Sequence, residues 1–342
     1  MICSKQPAID SLTHIVFGAC MGDAIAGKQL GKKAMVIGAI ANSLPDIDII
    51  NGLWMPTAKE LYEHRGITHS LFFVVLSTIV LALLSQKVWK NKMDFGRWIA
   101  LWGINIFIHI FIDTFNAYGT AWFEPFSSKR ITFNTLFVAD PLFSIGPLIA
   151  FLLLLFYKNN NPNRRRWIRN GFIASVVYLG FALTSKWIAA KGVKESLQSQ
   201  QLDYQDYFTT PSPFNTLLWF SVAKDTSGYH VGYRSVFDTR PTPFTYFKQD
   251  KALLKEYEKR EDIQYLQKFA SDFYTVENRN DTMLFNVLRF GQIVGWHDPH
   301  EKFMLHYYIN YPNDNDLVVQ RGRFQRWNRE TLASFLQRMA GK

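Results

Sequence analysis

Apolar and polar positions divide the chain into an apolar first half and a polar second half. Long apolar runs are confined to about residues 1–190, whereas residues 191–342 are rich in charged and aromatic side chains. The first half contains about six apolar segments that are candidate membrane spans, near residues 12–27, 33–44, 70–85, 98–118, 141–157 and 168–190. The pattern predicts an α-helical multi-pass membrane domain over 1–190 and a C-terminal soluble α+β domain over 191–342.

The soluble half contains short segments typical of strands and helices. Residues 216–223 and 229–237 flank a polar turn and predict a β-hairpin. Helical periodicity covers about residues 249–274, strands are predicted near 282–290, 303–310 and 317–326, and a terminal helix begins near 330. The histidines of this half, such as His297 and His300, lack the spacing of metal ligands. We therefore expect a lid or recognition module here.

The distribution of basic residues indicates membrane topology. The net charge is +10, but much of it lies in short connections between apolar segments, near residues 28–33, 87–97 and 158–169. By the positive-inside rule these connections are cytoplasmic, and alternation places residues 51–69, 119–137 and the whole soluble half outside. The charge is thus explained without a nucleic-acid partner, and membrane lipids are the expected surroundings.

A cluster of polar side chains precedes the third apolar segment, in His64-Arg65-Gly66-Ile67-Thr68-His69-Ser70. Gly66 permits a bend, and Ser70 suits a helix start, so His64 and Arg65 are predicted on a loop over about residues 51–68, and His69 at the first turn of a helix that runs to about residue 85. An exposed or salt-bridged His-Arg pair is the alternative.

The fourth apolar segment carries a polar stripe at helical spacing, formed by Asn105, His109, Asp113, Asn116 and Thr120. Ionisable side chains in an apolar segment are costly unless they are paired or bound, and are therefore functional by default. His109 and Asp113, at i and i+4, could chelate one ion together. A hydrogen-bonded pair that joins two helices is the alternative.

Three further residues join this set. Asp46 and Asp48 follow Pro45 and share a side if the chain there is extended, although a Pro-Asp turn is an alternative. His14 lies in the first apolar segment and could be a buried core histidine. The predicted topology brings all candidates to the outer membrane face, which favours a metal site of one or two zinc, manganese or iron ions. Its predicted ligands are His14, Asp46, His64, His69, His109 and Asp113.

These motifs resemble those of the YdjM-type membrane-bound metal-dependent hydrolases. The resemblance covers residues 10–145 and rests on Asp10-Ser11-x-Thr13-His14, Leu44-Pro45-Asp46-x-Asp48, His64-Arg65-Gly66-x-Thr68-His69-Ser70, His109-x-x-x-Asp113, Asn116-x-Tyr118-Gly119-Thr120, Pro125-Phe126-Ser127, Arg130 and Asp140-Pro141. It implies a multi-pass protein of the bacterial inner membrane, distantly similar to zinc-dependent phospholipases C and S1/P1 nucleases. The second His-x-x-x-Glu motif of those enzymes is missing from this pattern, so one or two metal ions are expected rather than three.

The predicted activity is hydrolysis of a phosphoester at the outer face of the membrane, and this location favours a lipid or lipid-linked substrate. Asp48 is assigned to the catalytic machinery, where it could orient a ligand histidine, and Arg65 and Arg130 could bind a phosphate through their guanidinium groups. Arg130 could equally be an interfacial charge near headgroups. A non-catalytic scaffold or transporter with structural His-Asp pairs remains the alternative function.

Overall fold

The computed structural model of the protein describes residues 8–279, 281–315 and 326–342. Two compact units divide the described chain. The first comprises the residues up to Asn51, together with Glu63–Phe133 and Val138–Phe181, and the second comprises Gly52–Tyr62, Asn134–Phe137 and Ala182–Lys342. The division falls within one long helix, and the domain boundary expected at residue 190 stays a prediction.

The apolar half is helical, as its hydrophobic pattern predicts. Its helices are α1 (Ala8–Leu30), α2 (Lys33–Ser43), α3 (Thr57–Glu63), α4 (Leu71–Val88), α5 (Phe95–Asp113), α6 (Pro141–Phe156) and α7 (Asn163–Ser199). Among the described residues, α4, α5 and α7 are long and apolar enough to cross a membrane, and α6 is a shorter apolar helix of 16 residues. The six predicted spans are therefore not confirmed, partly because α2 has only 11 residues.

Helices α1 and α2 approach each other closely at glycine positions. A Cβ atom at Gly38 would lie 2.1 Å from the carbonyl oxygen of Gly18, and one at Gly22 would lie 2.2 Å from that of Ala34. Small residues spaced by four permit this close packing of helix backbones. The glycines thereby hold His14 on α1 beside the end of α2.

A buried ion pair joins α1 to α7. Arg164 Nη2 lies 2.6 Å from Asp23 Oδ1, and Arg164 Nε donates to Asp23 Oδ2 at 3.2 Å. Arg164 also donates to the backbone carbonyls of Leu154 and Tyr157, at the end of α6. The guanidinium of Arg164 thus connects α1, α6 and α7. From the sequence, Arg164 was recognised only as one of the basic residues in the connection near residues 158–169.

Two local predictions for this half are wrong. The segment between about residues 51 and 68 was predicted as a loop, but it contains the end of the 3-10 helix Pro45–Leu53, then α3, and the start of a 3-10 turn over Ile67–His69. Helix α5 ends at Asp113, so Asn116 and Thr120 do not continue its polar stripe. The chain turns there because Asn116 Oδ1 accepts from the backbone N–H of Tyr118 at 2.9 Å, which favours a turn over helix.

The second unit contains two antiparallel sheets, so an α+β fold is confirmed for this half. The sheets are β1 (Asp206–Pro211), β2 (Leu218–Lys224), β3 (Gly228–Ser235) and β4 (Thr245–Lys248), and β5 (Tyr274–Arg279), β6 (Thr282–Gln292) and β7 (Phe303–Tyr308). The described residues of this unit also include helices α8 (Glu261–Ala270) and α9 (Arg329–Met339), and 3-10 turns at Lys251–Leu254 and Pro312–Asp314. Phe220, Val222, Tyr229, Leu288 and Phe303 belong to the main apolar core.

The predicted hairpin is confirmed as β2 and β3, which pair from Leu218 with Ser235 to Lys224 with Tyr229. The prediction of helix over about 249–274 is too long, because α8 ends at Ala270 and Ser271 follows in a left-handed conformation. Strands β1, β4 and β5 were not predicted. The strand predicted near 317–326 lies, except for residue 326, outside the described residues, as do Arg321 and Arg323.

Candidate metal centre

Four side chains of the first unit converge on one point. Asp46, His69, His109 and Asp113 each present one ligand atom, and these atoms lie within 4.8 Å of one another. The Nε2 atoms of His69 and His109 are 3.1 Å apart, and each lies 3.5 Å from Asp113 Oδ2. Asp46 Oδ1 lies 3.4 Å from His109 Nε2 and 3.7 Å from His69 Nε2.

These separations fit a group of ligands around one cation. Ligand atoms about 2.0–2.1 Å from a tetrahedral zinc ion lie about 3.3 Å from one another. The five separations given above, from 3.1 to 3.7 Å, bracket that value. The side chains of His69, His109 and Asp113 are at most 1% exposed, whereas that of Asp46 is 16% exposed. Asp46 is therefore the member of the group that solvent reaches.

The local structure explains why these residues meet. Pro45 begins the 3-10 helix that carries Asp46, directly after α2 and Leu44. His69 ends the 3-10 turn Ile67–His69, and Ser70 caps α4 by accepting from the backbone N–H of Phe73 at 3.1 Å. His109 and Asp113 lie one turn apart on α5, so their side chains share a helix face.

Hydrogen bonds at the far side of each imidazole set its tautomer. His109 Nδ1 lies 2.5 Å from the carbonyl oxygen of Asn42, which can only accept, so this nitrogen carries the proton. The Thr68 hydroxyl donates to Asp48 Oδ2 at 3.0 Å and accepts from His69 Nδ1 at 3.1 Å. When both imidazoles are neutral, their Nε2 atoms therefore carry lone pairs that face each other and two carboxylates. A cation between them resolves this arrangement.

The charge balance of the buried group also favours a divalent cation. The carboxylates of Asp46, Asp48 and Asp113 all lie within 3.7 Å of a nitrogen of His69, and the guanidinium of Arg65 lies 3.2 Å from one of them, that of Asp113. Although burial opposes it, hydrogen bonds with Asp113 and Asp46 raise the pKa of His69 to about 8. The group therefore attracts positive charge, and a divalent ion would neutralise it.

A family model for the YdjM inner membrane protein matches residues 9–189, which is more than half of the chain. The chain belongs to the YdjM inner membrane protein family. All residues of the candidate centre lie within the matched region.

Two curated proteins are similar to parts of the chain. An uncharacterized protein of Bacillus subtilis (strain 168), YfhP, is 30% identical over 162 residues, which are 45% of this chain and 48% of YfhP. The inner membrane protein YbcI of Escherichia coli (strain K12) is 25% identical over 121 residues, 35% of this chain and 69% of YbcI. The chain thus spans about half the length of YfhP. No solved structure matches.

Asp48 and His64 lie beside the four-residue group of this YdjM-family chain. Asp48 Oδ1 lies 3.1 Å from His64 Nδ1, and Asp48 Oδ2 accepts from the backbone N–H of Arg65 at 2.9 Å. Burial acts to raise the pKa of Asp48, but His64, His69 and the Arg65 N–H outweigh it and hold the pKa below its usual range. Asp46 and Asp48 point in different directions because residues two apart on a 3-10 helix lie about 120° apart around its axis. Extended chain and turn were both left open for this segment, and the structure shows that it is not extended.

His14 lies next to Asp113 but outside the group of four. Its Nε2 is 3.3 Å from Asp113 Oδ1, and its Nδ1 is 3.2 Å from the side-chain oxygen of Asn42. The amide nitrogen of Asn42 donates to the carbonyl of Asn105 at 2.9 Å, which fixes the orientation of that amide. His14 therefore faces the second oxygen of the Asp113 carboxylate, whose first oxygen faces His69 and His109.

The two arginines predicted to bind phosphate differ in burial and in hydrogen-bond partners. Arg65 is 2% exposed, its Nε lies 3.2 Å from Asp113 Oδ2, and its Nη1 donates to Asn116 Oδ1 at 2.7 Å. Its guanidinium also stacks on the ring of Tyr118 at 5.1 Å. Arg130 is partly buried, and its Nη1 lies 3.5 Å from the carbonyl oxygen of Arg65. A role of either residue in binding substrate stays a prediction.

Sequence reasoning did not single out Asn42 and Thr68 as partners of the histidines. Asn42 is fully buried near the end of α2, where its backbone carbonyl contacts His109 and its side chain contacts His14. The available signal was the amide side chain of Asn42 at the end of the apolar run Ala34–Ala41. Polar side chains in such runs require partners. Thr68 occurs within the recognised motif, but nothing in the sequence assigns its hydroxyl to His69.

Proposed function

We propose that this chain is a membrane-bound metal-dependent hydrolase that cleaves a phosphoester. The observation that carries the proposal is the convergence of two imidazole nitrogens and two carboxylate oxygens within 4.8 Å. Nitrogen and carboxylate donors suit zinc, and they also suit manganese or iron. We assign Asp46, His69, His109 and Asp113 as the ligands of one ion, and His14 and His64 as the candidates for a second.

A bound divalent cation supplies Lewis-acid activation of water and of a phosphoryl oxygen. The surrounding residues hold the ligands in position. Asp48, through Thr68, keeps His69 in the tautomer that presents Nε2, and the carbonyl of Asn42 does the same for His109. Arg65 supports Asp113, and Arg130, which is less buried, is the better placed of the two arginines to reach an anionic substrate.

The proposed substrate follows from the proposed topology. With the basic connections on the cytoplasmic side, the residues that carry the candidate centre lie at the outer face of the inner membrane. A site at that depth meets lipid headgroups more readily than cytoplasmic metabolites. We therefore propose a phosphoester in a lipid or a lipid-linked molecule, with the second unit on the same side as a recognition module.

Elemental analysis of the detergent-purified chain tests the metal centre. The wild type is compared with His69→Gln and Asp113→Asn, and the matched controls are His300→Gln and Asp94→Asn, two exposed residues outside the group. We expect near-stoichiometric metal in the wild type and in both controls, and loss of it in both ligand variants. Thermal melting of every variant establishes that the chain is folded.

Activity is measured separately, as phosphate or alcohol release from phospholipid and lipid-diphosphate substrates in mixed micelles. Release that requires the metal and is lost in His69→Gln supports hydrolysis. A metal-replete wild type that cleaves none of these substrates would leave the metal centre intact and refute the proposed phosphoester activity. A folded wild type that stays metal-free after incubation with zinc, manganese and iron would refute both, and structural His-Asp pairs would explain the group.

A further inference from the structure

The turn around Phe123 and Phe126, after α5, carries two exposed aromatic side chains, although backbone hydrogen bonds hold it in place. Phe126 is 85% exposed and Phe123 is 50% exposed. Monomeric soluble proteins rarely leave large apolar side chains in contiguous exposed patches. We therefore expect another molecule to cover these two rings.

Backbone hydrogen bonds fix the turn against the start of α4 and the histidine-bearing segment. The N–H of Leu71 donates to the carbonyl of Trp122 at 2.9 Å, and the N–H of Ala121 donates to the carbonyl of Arg65 at 3.1 Å. Within the turn, the N–H of Phe126 donates to the carbonyl of Phe123 at 2.9 Å. The exposed rings are therefore presented by an ordered turn at a fixed distance from His69.

The exposed rings continue the outward-facing apolar stripe of α4. Phe72, Leu76, Ile79 and Leu83 recur at helical spacing, and each is between 45% and 57% exposed. The ring of Phe126 meets that of Phe72, with centroids 6.5 Å apart and planes at 90°. Since α4 is a candidate membrane span, its exposed stripe is the face that lipid would cover, and Phe126 extends this face by one more ring.

Polar side chains follow the aromatic rings at once. Ser127, Ser128 and Lys129 are all exposed. An order of apolar, aromatic, small polar and basic residues is typical of the boundary between the hydrocarbon core and the headgroups of a bilayer. A lysine near that boundary is attracted to anionic lipid phosphates.

We propose that the segment Phe123–Lys129 is a lipid anchor, with the rings of Phe123 and Phe126 among the outer ends of the acyl chains and Lys129 among the headgroup phosphates. The occupant of this surface is the bilayer that surrounds α4. The anchor sets the depth of the segment that carries His69, because Leu71 and Arg65 bind the turn directly. It requires no catalytic activity, so it can hold or fail independently of the proposed hydrolysis.

Spin labelling of the full chain in nanodiscs of phosphatidylethanolamine and phosphatidylglycerol tests the anchor. The labels are introduced in a Cys3→Ser background. Cys20 is kept because it is buried and should take up no label. Labels are placed at Phe126→Cys and, as a second position, at Phe123→Cys. Leu76→Cys is the lipid-facing reference, and Phe237→Cys, at a side chain 58% exposed on the second unit, is the water-facing reference.

Collision rates with oxygen, which partitions into lipid, and with a water-soluble nickel chelate distinguish the outcomes. We expect labels at 126 and 123 to give an oxygen-to-nickel ratio close to that of Leu76→Cys and several-fold above that of Phe237→Cys. A ratio at 126 and 123 equal to the water-facing reference would overturn the proposal. Protection from both reagents would also overturn it, because the turn would then be covered by protein, such as a second copy of the chain.

Discussion

Replacement of Asp48 by asparagine tests whether the outer partners of the histidines control metal binding. Asp48 does not belong to the group of four, but its Oδ2 accepts from the Thr68 hydroxyl at 3.0 Å and lies 3.5 Å from His69 Nδ1. The substitution keeps the shape of the side chain and removes its charge. It also places an amide NH2 where one of two accepting oxygens stood, so the Thr68 hydroxyl can reorient.

The expected magnitude follows from the contacts that are weakened. Asp48 accepts from the Arg65 N–H and the Thr68 hydroxyl and contacts His64 Nδ1, all within 3.1 Å. Hydrogen bonds to a charged acceptor are roughly twice as strong as neutral ones. Loss of an outer partner of a ligating histidine costs about 10- to 100-fold in metal affinity. We therefore expect zinc affinity to fall by about 10- to 100-fold, or about 1.4–2.8 kcal/mol.

Competition against a chromophoric zinc chelator measures this affinity in detergent. Asp94→Asn is the matched control, because Asp94 is an exposed N-cap of α5 and asparagine caps a helix equally well. We expect the control to bind zinc as the wild type does. If folded Asp48→Asn kept wild-type affinity, the contact through Thr68 would not hold His69 in its ligating tautomer, and that reasoning would be wrong.

Three further predictions concern the packing of the helices and a partner of His14. Gly38→Ala should lower the melting temperature, because its Cβ would lie 2.1 Å from a backbone oxygen, whereas the matched Gly180→Ala, whose Cβ would meet no atom within 4 Å, should not. Asp23→Asn leaves the buried Arg164 uncompensated and should destabilise the chain by about 3–5 kcal/mol in chemical denaturation, yet metal content at low temperature should persist. Asn42→Ala should weaken zinc binding by about 10-fold in the chelator assay, since it removes the contact that orients His14 against Oδ1 of the candidate ligand Asp113; unchanged affinity would contradict this.

The identities of the converging residues could be predicted because their surroundings are apolar. A histidine and an aspartate at i and i+4 in an Ile/Phe helix are costly without partners, so His109 and Asp113 were recognisable from the sequence. The helix that carries them was equally clear from periodicity. The close approach of α1 and α2 was not predicted, because it depends on which of several glycines face each other.

Strand β5 was missed for a different physical reason. Glycine usually follows the end of a helix, but α8 ends at Ala270 and is followed by Ser271 and Asp272, which both adopt positive φ. No glycine therefore marks the end of the helix before Tyr274, and the predicted helix was extended through the start of the strand. Short edge segments such as β4, with four residues, likewise carry too little periodicity to be distinguished from loops.

Which residues of the predicted set converge depends on hydrogen-bond partners and positions that cannot be recognised from the residue types. His64 and His69 both have Nδ1 within 3.5 Å of Asp48, yet only the Nε2 of His69 lies beside the ligand atoms of His109 and Asp113. His109 is set by a backbone carbonyl, which every residue possesses. A sequence can therefore indicate candidate ligands, while the positions and tautomers that decide which of them converge follow only from the fold. For the same reason, substitutions at the outer partners are sharper tests of this centre than further removal of its ligands.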